Sequence, residues 1–579
     1  MRQPHSYLAF HVEPIDLPLA GIYAFRPDPA TLLWLQAVVL ALGALPTAWL
    51  GRRVLGSWIG GLALGTAWLL APGLEGAALS DFHAVTIGAT LLMPGLWLWE
   101  TDRRRWAVVA LLCAAATRED AALAVAWLGI VLLVRHSLSR WERAGVRAQL
   151  RADSPSFARM RAMELGPHPA FGHPLPPGEG LVVALVSISW AALCFLVIAP
   201  YFNGGGSLFA SRYAWLRHDP GSVPLADIAA YLGTQLLTGG VVCLLAPFQL
   251  LAAAPLLLVN SLSSFDWMRS GGAHYSVLLV PPLLWSAAHG ARRLETWLPR
   301  EFRGLPLGLV LGGALAAQLW IGTTTVPDAD PAAPAALAEL AAIPPDAPLS
   351  ASSALYPHLA ERHRLYWFPA VQDAEWIALD VAAATHPLIA PEMKSSADVL
   401  LASPSWGLVD ARDGLLLFRR GAQHQPLPDA FFGFARGGPN GDARARFGGS
   451  VELVGARLHR WPQVGLFGDA GVLETFWRTT APVGDDLRFA LATTRRSDGA
   501  LVGLEPDVAP EPIWYPTSRW RPGEVVRMRM PVDRLGPLQA VGVAVLDPRG
   551  ARLPVGGPAD LVAWEGGTIA RVTSVSDGR

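Results

Sequence analysis

The stretch Trp106–Arg135, WAVVALLCAAATREDAALAVAWLGIVLLVR, decides how the chain is read. It is apolar throughout except for Arg118-Glu119-Asp120, which stands between two hydrophobic runs with no glycine or proline beside it. A bilayer core takes about 20 apolar residues per helix. The stretch is therefore too long for one helix and reads as a hairpin of two short ones, with the charged triplet at the apex. Ionisable groups at membrane depth are costly and mark functional sites by default.

Working outward, apolar segments fall at 30–50, 54–72, 84–99, 180–200, 274–290 and 304–323, and a second long stretch, 231–260, is interrupted by Pro247 and Pro255. With both long stretches counted as hairpins there are about ten segments. Basic residues test the count, because they accumulate on cytoplasmic loops. Arg52-Arg53, Arg103-Arg104-Arg105, the loop Arg135–Arg161 and Arg292-Arg293 then all fall on one side. Counting either long stretch as one helix would split them. The expected chain is thus a multi-pass protein of the cytoplasmic (inner) membrane, with residues 327–579 on the extracytoplasmic side.

Composition agrees: 52% hydrophobic and 16% charged residues with a mean hydropathy of +0.33 suit a polytopic membrane protein rather than a soluble one. A formal charge of -1 gives no reason to expect nucleic acid. Cys113, Cys194 and Cys243 lie in apolar segments and offer neither a disulfide framework nor zinc spacing. The N-terminus lacks the features of a secretory signal.

The fold class expected is a mainly α membrane bundle of about ten segments, followed by a small α/β domain and a C-terminal β-sandwich. The divisions are an outer-face segment 1–29, a membrane domain 30–326, an α/β domain 327–420 and a β-sandwich 421–579. Within the membrane domain, 136–179 is Arg- and Pro-rich and reads as a disordered cytoplasmic insertion. In the α/β part, ALAELAAI and PEMKSSADVLLA read as helices, and WIALD, GLVDA and GLLLFRR as strands. After the linker GAQHQPLPDA come short alternating strands, SVELVGARL, LETFWRTT, LRFALATT, VVRMRMPV and AVGVAVLDP.

The candidate site gathers on the outer face of this topology. Asp81 and His83 lie at the mouth of one helix, and Arg118, Glu119 and Asp120 at the hairpin apex. A carboxylate beside an imidazole suits proton transfer or a divalent metal ion, with Asp81 and Asp120 as candidate ligands. The alternative is that Arg118 pairs with its neighbours only to ease the turn at the surface. Arg212, Tyr213, Arg269, His274 and Tyr275 fall on the same face. Guanidinium groups bind phosphate bidentately and aromatic rings stack on sugars, so these residues, with Arg118, form a candidate donor-phosphate set. Interfacial aromatic residues and headgroup contacts explain them equally. His11, Glu13 and Asp16 are the remaining outer-face candidates.

At these residues the chain resembles the predicted bacterial and archaeal membrane proteins catalogued as domain of unknown function 2079. The resemblance runs over residues 8–420 and rests on His11 with Pro14, QAVVLALGALPTAWLGRRVLG, SDFHAV, TREDAAL, SRYAWL and NSLSSFDWMRSGGAHYSVLLVP. The family is grouped by similarity with membrane glycosyltransferases of the C type (GT-C). The resemblance therefore implies transfer of a sugar from a polyprenyl-phosphate lipid to an extracytoplasmic acceptor, with Asp81, His83, Glu119 and Asp120 in the catalytic group. It also implies a further helix and an acidic outer loop ahead of His11, so a missing first helix is expected. The segments WYPTSRWRPGEVVRMRMPV and VLDPRGARLPV resemble β-sandwiches appended to such proteins. The rival expectation is a non-catalytic scaffold or glycan-binding membrane protein.

Overall fold

The computed structural model describes residues 7–152, 178–203, 225–269, 271–272, 274–321, 333–383, 385, 387–461, 469–495, 500–535, 539–557, 562–564 and 566–572. Two compact units emerge, one from residues 1–26 and 30–323, the other from 324–579 with 27–29.

The first unit is helical. Its core is built from Leu50, Trp68, Met93, Leu111, Val125, Trp285 and their neighbours. Many helices are equally apolar on the outside: Trp34, Ile59, Leu62, Leu185, Leu196 and Leu319 are all exposed. A helix apolar on every side has a hydrocarbon surrounding as its natural environment. Among the described residues, Pro29–Leu55, Glu179–Phe202 and Arg300–Leu319 are long and apolar enough to cross a membrane, and Trp58–Leu69 and Pro247–Ser261 are shorter apolar helices.

Small residues let these helices approach closely, as expected where apolar burial cannot drive association. A Cβ on Gly129 would sit 2.6 Å from the backbone nitrogen of Ala184, and one on Gly180 would sit 2.9 Å from the Gly129 carbonyl oxygen. Gly43 faces the ring of Trp68, whose indole nitrogen donates to the Leu40 carbonyl at 2.7 Å.

The two expected interruptions are present. Trp106–Arg135 is divided between helices Arg104–Ala115 and Glu119–Ala152, with the break at Ala116–Arg118. Beyond Leu225–Thr238, the second stretch breaks at Gly240 and Val241, both with positive φ, and resumes as short helical pieces ending in Ala254–Ser261. The helix expected over 84–99 is Val85–Glu100. The proposed insertion 136–179 lies largely outside the described residues, and nothing is described of its side chains before 152.

The second unit begins with helix Ala333–Leu340 and a mixed sheet of β1 (Leu349–Ala351), β2 (Leu365–Trp367), β3 (Trp376–Asp380), β4 (Trp406–Arg412) and β5 (Leu415–Arg420). The order is β2-β1-β3-β5-β4; β1 runs parallel to β2 and β3, and the remaining pairs are antiparallel. Helix Ala390–Ala402 precedes β4. Two antiparallel five-stranded sheets follow. One contains β6 (Ala445–Phe447), β7 (Val451–Trp461), β8 (Asp469–Thr479), β11 (Val525–Leu535) and β13 (Val555–Gly556). The other contains β9 (Arg488–Arg495), β10 (Leu501–Pro506), β12 (Gln539–Leu546), β14 (Val562–Trp564) and β15 (Ile569–Arg571).

Inward residues of all three sheets share one apolar cluster, including Leu416, Phe447, Trp477, Phe489, Met528 and Val543. Trp477 of β8 and Phe489 of β9 meet edge to face at 4.9 Å between centroids. The fully buried Glu511 accepts from Arg529 Nε at 3.0 Å, and Arg529 Nη2 donates to the Ala382 carbonyl at 3.0 Å, tying β11 to the loop after β3.

Candidate functional site

The charged triplet closes a tight turn. Thr117 Oγ1 donates to the Ala114 carbonyl at 2.7 Å, and a Cβ on Gly88 would lie 2.4 Å from that hydroxyl. The missing side chain at Gly88 therefore lets helix Val85–Glu100 lie against the turn. Arg118 is buried at 4% exposure and grips Asp120 with both edges, Nε to Oδ1 at 2.7 Å and Nη2 to Oδ2 at 2.5 Å. Asp120 Oδ1 also accepts the Ala121 N–H at 2.8 Å. Glu119 turns the other way: its Oε1 is 2.8 Å from His11 Nδ1 and its Oε2 accepts the Val12 N–H at 2.9 Å. Both carboxylates sit in the first turn of a helix, where the backbone dipole favours negative charge.

The Ser80–His83 motif is held by a residue the sequence reading passed over. Gln36, fully buried, accepts from the His83 N–H at 2.8 Å and donates to the Ala77 carbonyl at 2.6 Å. Thr86 Oγ1 lies 3.2 Å from the same amide oxygen. The available signal was an amide at the centre of TLLWLQAVVLAL, where an unpartnered polar side chain would be expensive. His83 stacks on His274 at 3.5 Å between ring centroids and 23° between planes, and His274 meets Tyr275 at 4.1 Å. Asp81 lies at the edge of this group, its side chain 84% exposed and its Oδ1 3.6 Å from His83 Nδ1.

Arg118 is the electrostatic centre, since Glu13, Glu119 and Asp120 all act on it and it acts on His83 and His274. Glu13 differs from the other two carboxylates. It accepts from the Tyr7 hydroxyl at 3.4 Å, a longer contact than the bidentate pair at Asp120. Burial pushes its carboxyl up to about 7, against the downward pull of Arg118 and His11. A carboxylic acid near neutrality suits general acid–base work.

The structure thus brings His83, Arg118, Glu119, Asp120, His274 and Tyr275 into one neighbourhood and adds His11 and Glu13. Arg269, at 2% exposure, donates to the Ser263 carbonyl, which gives it a loop-holding role. Asn260 is likewise buried, donating to the Tyr231 hydroxyl at 2.9 Å and the Tyr275 carbonyl at 3.1 Å. Arg212 and Tyr213 lie outside the described residues. Among the described residues no group of three or more His, Cys, Asp or Glu could hold a metal ion. Both oxygens of Asp120 are engaged by Arg118 and the Asp81 side chain is exposed, an arrangement that does not offer the two candidate ligands to one ion.

A second polar cluster, not anticipated, occupies the far end of helix Val85–Glu100, about 24 Å along its axis. Glu100 Oε1 accepts from Arg135 Nη1, from Trp285 Nε1 at 2.8 Å and lies 3.0 Å from His289 Nε2. One carboxylate thereby joins three helices.

Residues 2–417 match a family described as predicted membrane protein (DUF2079). No curated protein matches the chain. The matched span takes in the Ser80–His83 motif, the Arg118 turn, the His274 loop and the mixed sheet, and on that match the chain belongs to the DUF2079 family of predicted membrane proteins.

Proposed function

We propose that this protein is an integral membrane glycosyltransferase-like enzyme that transfers a sugar from a polyprenyl-phosphate donor to an extracytoplasmic acceptor. The observation that carries this reading is the buried Arg118 guanidinium, surrounded by Glu13, Glu119 and Asp120 and by three histidines at one end of an apolar helical unit. The protein then crosses the inner membrane about ten times, with short hairpin helices supplementing the long ones. The two antiparallel sheets form a β-sandwich, and the second unit is extracytoplasmic.

The ion pairs divide the labour. Asp120 holds Arg118, and Glu119 holds His11 and the adjoining backbone. Glu13 is the general base: its carboxylate removes the proton of the acceptor hydroxyl as that oxygen attacks the anomeric carbon. The bond from that carbon to the phosphate oxygen breaks, and polyprenyl phosphate leaves with the electron pair. Arg118, already paired with Asp120, offsets part of the negative charge gathered around the phosphate, with His274 and Tyr275 lining its approach. The donor set does not fit a divalent ion, so no step runs through one.

One observation favours the non-catalytic rival. Arg118 and Glu119 each have a close partner of opposite or complementary character, which is also what a structural turn requires. The test is sugar transfer from labelled polyprenyl-phosphate donors in proteoliposomes, with Glu13→Gln, Asp81→Ala, Glu119→Ala and Asp120→Ala made singly. Loss of transfer in Glu13→Gln with folding retained supports the enzyme. Undiminished transfer in all four removes the site.

A further inference from the structure

The end of the helical unit opposite the Arg118 site carries two arginine loops side by side. Helices Ala44–Leu55 and Trp58–Leu69 are joined through Gly56 and Ser57, and Val85–Glu100 and Arg104–Ala115 through Thr101–Arg103. Both loops are tightly built. Gly56, at φ 73°, donates its N–H to the Arg52 carbonyl at 2.9 Å, and Ser57 Oγ caps the next helix through the Gly60 N–H at 3.0 Å. In the second loop Asp102, at φ 58°, accepts from Arg104 Nη2 at 2.7 Å. The loops are adjacent, since Arg53 Nε donates to the Glu100 carbonyl at 3.1 Å and the Trp49 and Trp97 rings lie 5.0 Å apart.

This end is strongly cationic. Arg52, Arg53, Arg103 and Arg105 are exposed, and no ion pair joins them to a carboxylate among the described residues. The Glu100 carboxylate is already occupied by Arg135, Trp285 and His289. Two of the guanidiniums are placed by aromatic faces, Arg52 4.0 Å above Trp58 and Arg103 6.0 Å from Trp97. Stacking fixes a guanidinium's plane and leaves its N–H edges free to meet a phosphate. Exposed Trp58, Ile59 and Leu62 continue from the loop onto the apolar helix surface, where acyl chains would lie.

We infer that these paired loops bind the headgroup of an anionic phospholipid carrying two phosphates, one phosphate facing Arg52 and Arg53 and the other Arg103 and Arg105. Basic pockets between helices recognise such headgroups by charge, and the presence of two rigid arginine loops favours two linked phosphates over one. The adjoining apolar surface favours a lipid over a free phosphate. This site is independent of the sugar-transfer reading.

The test is native mass spectrometry of the purified full chain in detergent, titrated with cardiolipin, phosphatidylglycerol at matched total charge, and phosphatidylcholine. Wild type should retain cardiolipin in preference to both others. Arg52→Gln combined with Arg103→Gln should lower cardiolipin retention on the order of tenfold, whereas Arg303→Gln, an exposed arginine outside both loops, should leave it unchanged. Equal retention of phosphatidylglycerol, undiminished binding by the double variant, or an equal loss in Arg303→Gln overturns the proposal. Because all three arginines are exposed, the variants should fold, and an unchanged thermal midpoint in lipid-free detergent verifies it.

Discussion

Helix Val85–Glu100 has a polar cluster at each end, and the two are built on opposite principles. At Glu100, one carboxylate collects Arg135, Trp285 and His289, so its charge is fully engaged and three helices are fixed. At the other end, acids and bases outnumber the pairs they form. Arg118 and Asp120 satisfy each other, Glu119 holds His11, and Glu13 is left half-buried with a long contact to Tyr7. A saturated cluster stabilises an architecture. A cluster with a surplus, poised carboxyl can exchange a proton, and this difference separates a clamp from a candidate catalytic site.

The largest effect that would break the comparison is on activity. Glu13→Gln should reduce sugar transfer on the order of a hundredfold or more, the range of a lost general base. Burial holds Glu13 at about 7, and the base works only when deprotonated, so wild-type transfer should climb as pH rises toward 7 and level off above it. Initial rates between about pH 3.5 and 9 measure this. A limb set in the ordinary carboxylate range, near about 4.3, would mean that Glu13 is as solvated as any surface glutamate and that the two ends do not differ in this way.

The second effect is on stability, with the roles of the ends reversed. Glu100→Ala leaves Arg135 without its carboxylate and should cost on the order of 3 kcal/mol, the range for breaking a buried pair, although partial exposure reduces it. Thermal unfolding in detergent should show the loss in Glu100→Ala and little change in Glu13→Gln. Comparable losses in both would make the Arg118 end a structural cluster too.

What the sequence made legible follows from what periodicity can carry. The break at Arg118 was readable because thirty apolar residues exceed one span and the charges had no other place. The strands β3, β4, β5, β7, β8, β9, β11 and β12 were readable because an apolar or alternating pattern persists over several residues, whereas β10 and the two- and three-residue β6, β13, β14 and β15 went unassigned. The motif Asp81-Phe82-His83 was visible as charge in apolar surroundings, but its two ionisable residues, 3.6 Å apart, face differently: the His83 ring stacks on His274 and the Asp81 side chain is exposed. Partners distant in sequence were not legible. Nothing local in His11 points to Glu119, 108 positions away, or in Glu100 to His289, 189 positions away, because such pairings are set by helix packing. Asp120 was readable as a candidate ligand at the hairpin apex, but its pairing was not: the packed turn gives both its oxygens to Arg118.

The smallest effect extends the comparison to the second unit, where the Glu452 carboxylate is buried at 1% exposure. Burial alone would push its carboxyl up. Arg478, through Nη2 at 2.6 Å, and Arg446, through Nε at 2.8 Å, more than offset that, so it titrates below the usual glutamate range. Glu452 is thus saturated like Glu100, and its sign is opposite to that of Glu13. A depressed folded-state pKa gives stability that is fully present above the unfolded value, about 4.3, and is lost as pH falls through the lower folded value. Glu452→Gln removes the titrating group, so the variant should be less stable at pH 7 by about 1 to 2 kcal/mol, since the arginines are partly exposed. The gap from wild type should then close as pH falls below 4. Chemical denaturation of the full chain, followed by the fluorescence of Trp477 and its neighbours at pH 7 and at successively lower pH, reads this out. A gap that widens toward acid would mean that Glu452 carries a surplus proton as Glu13 does, and that saturation by two guanidiniums does not distinguish a clamp from a poised acid.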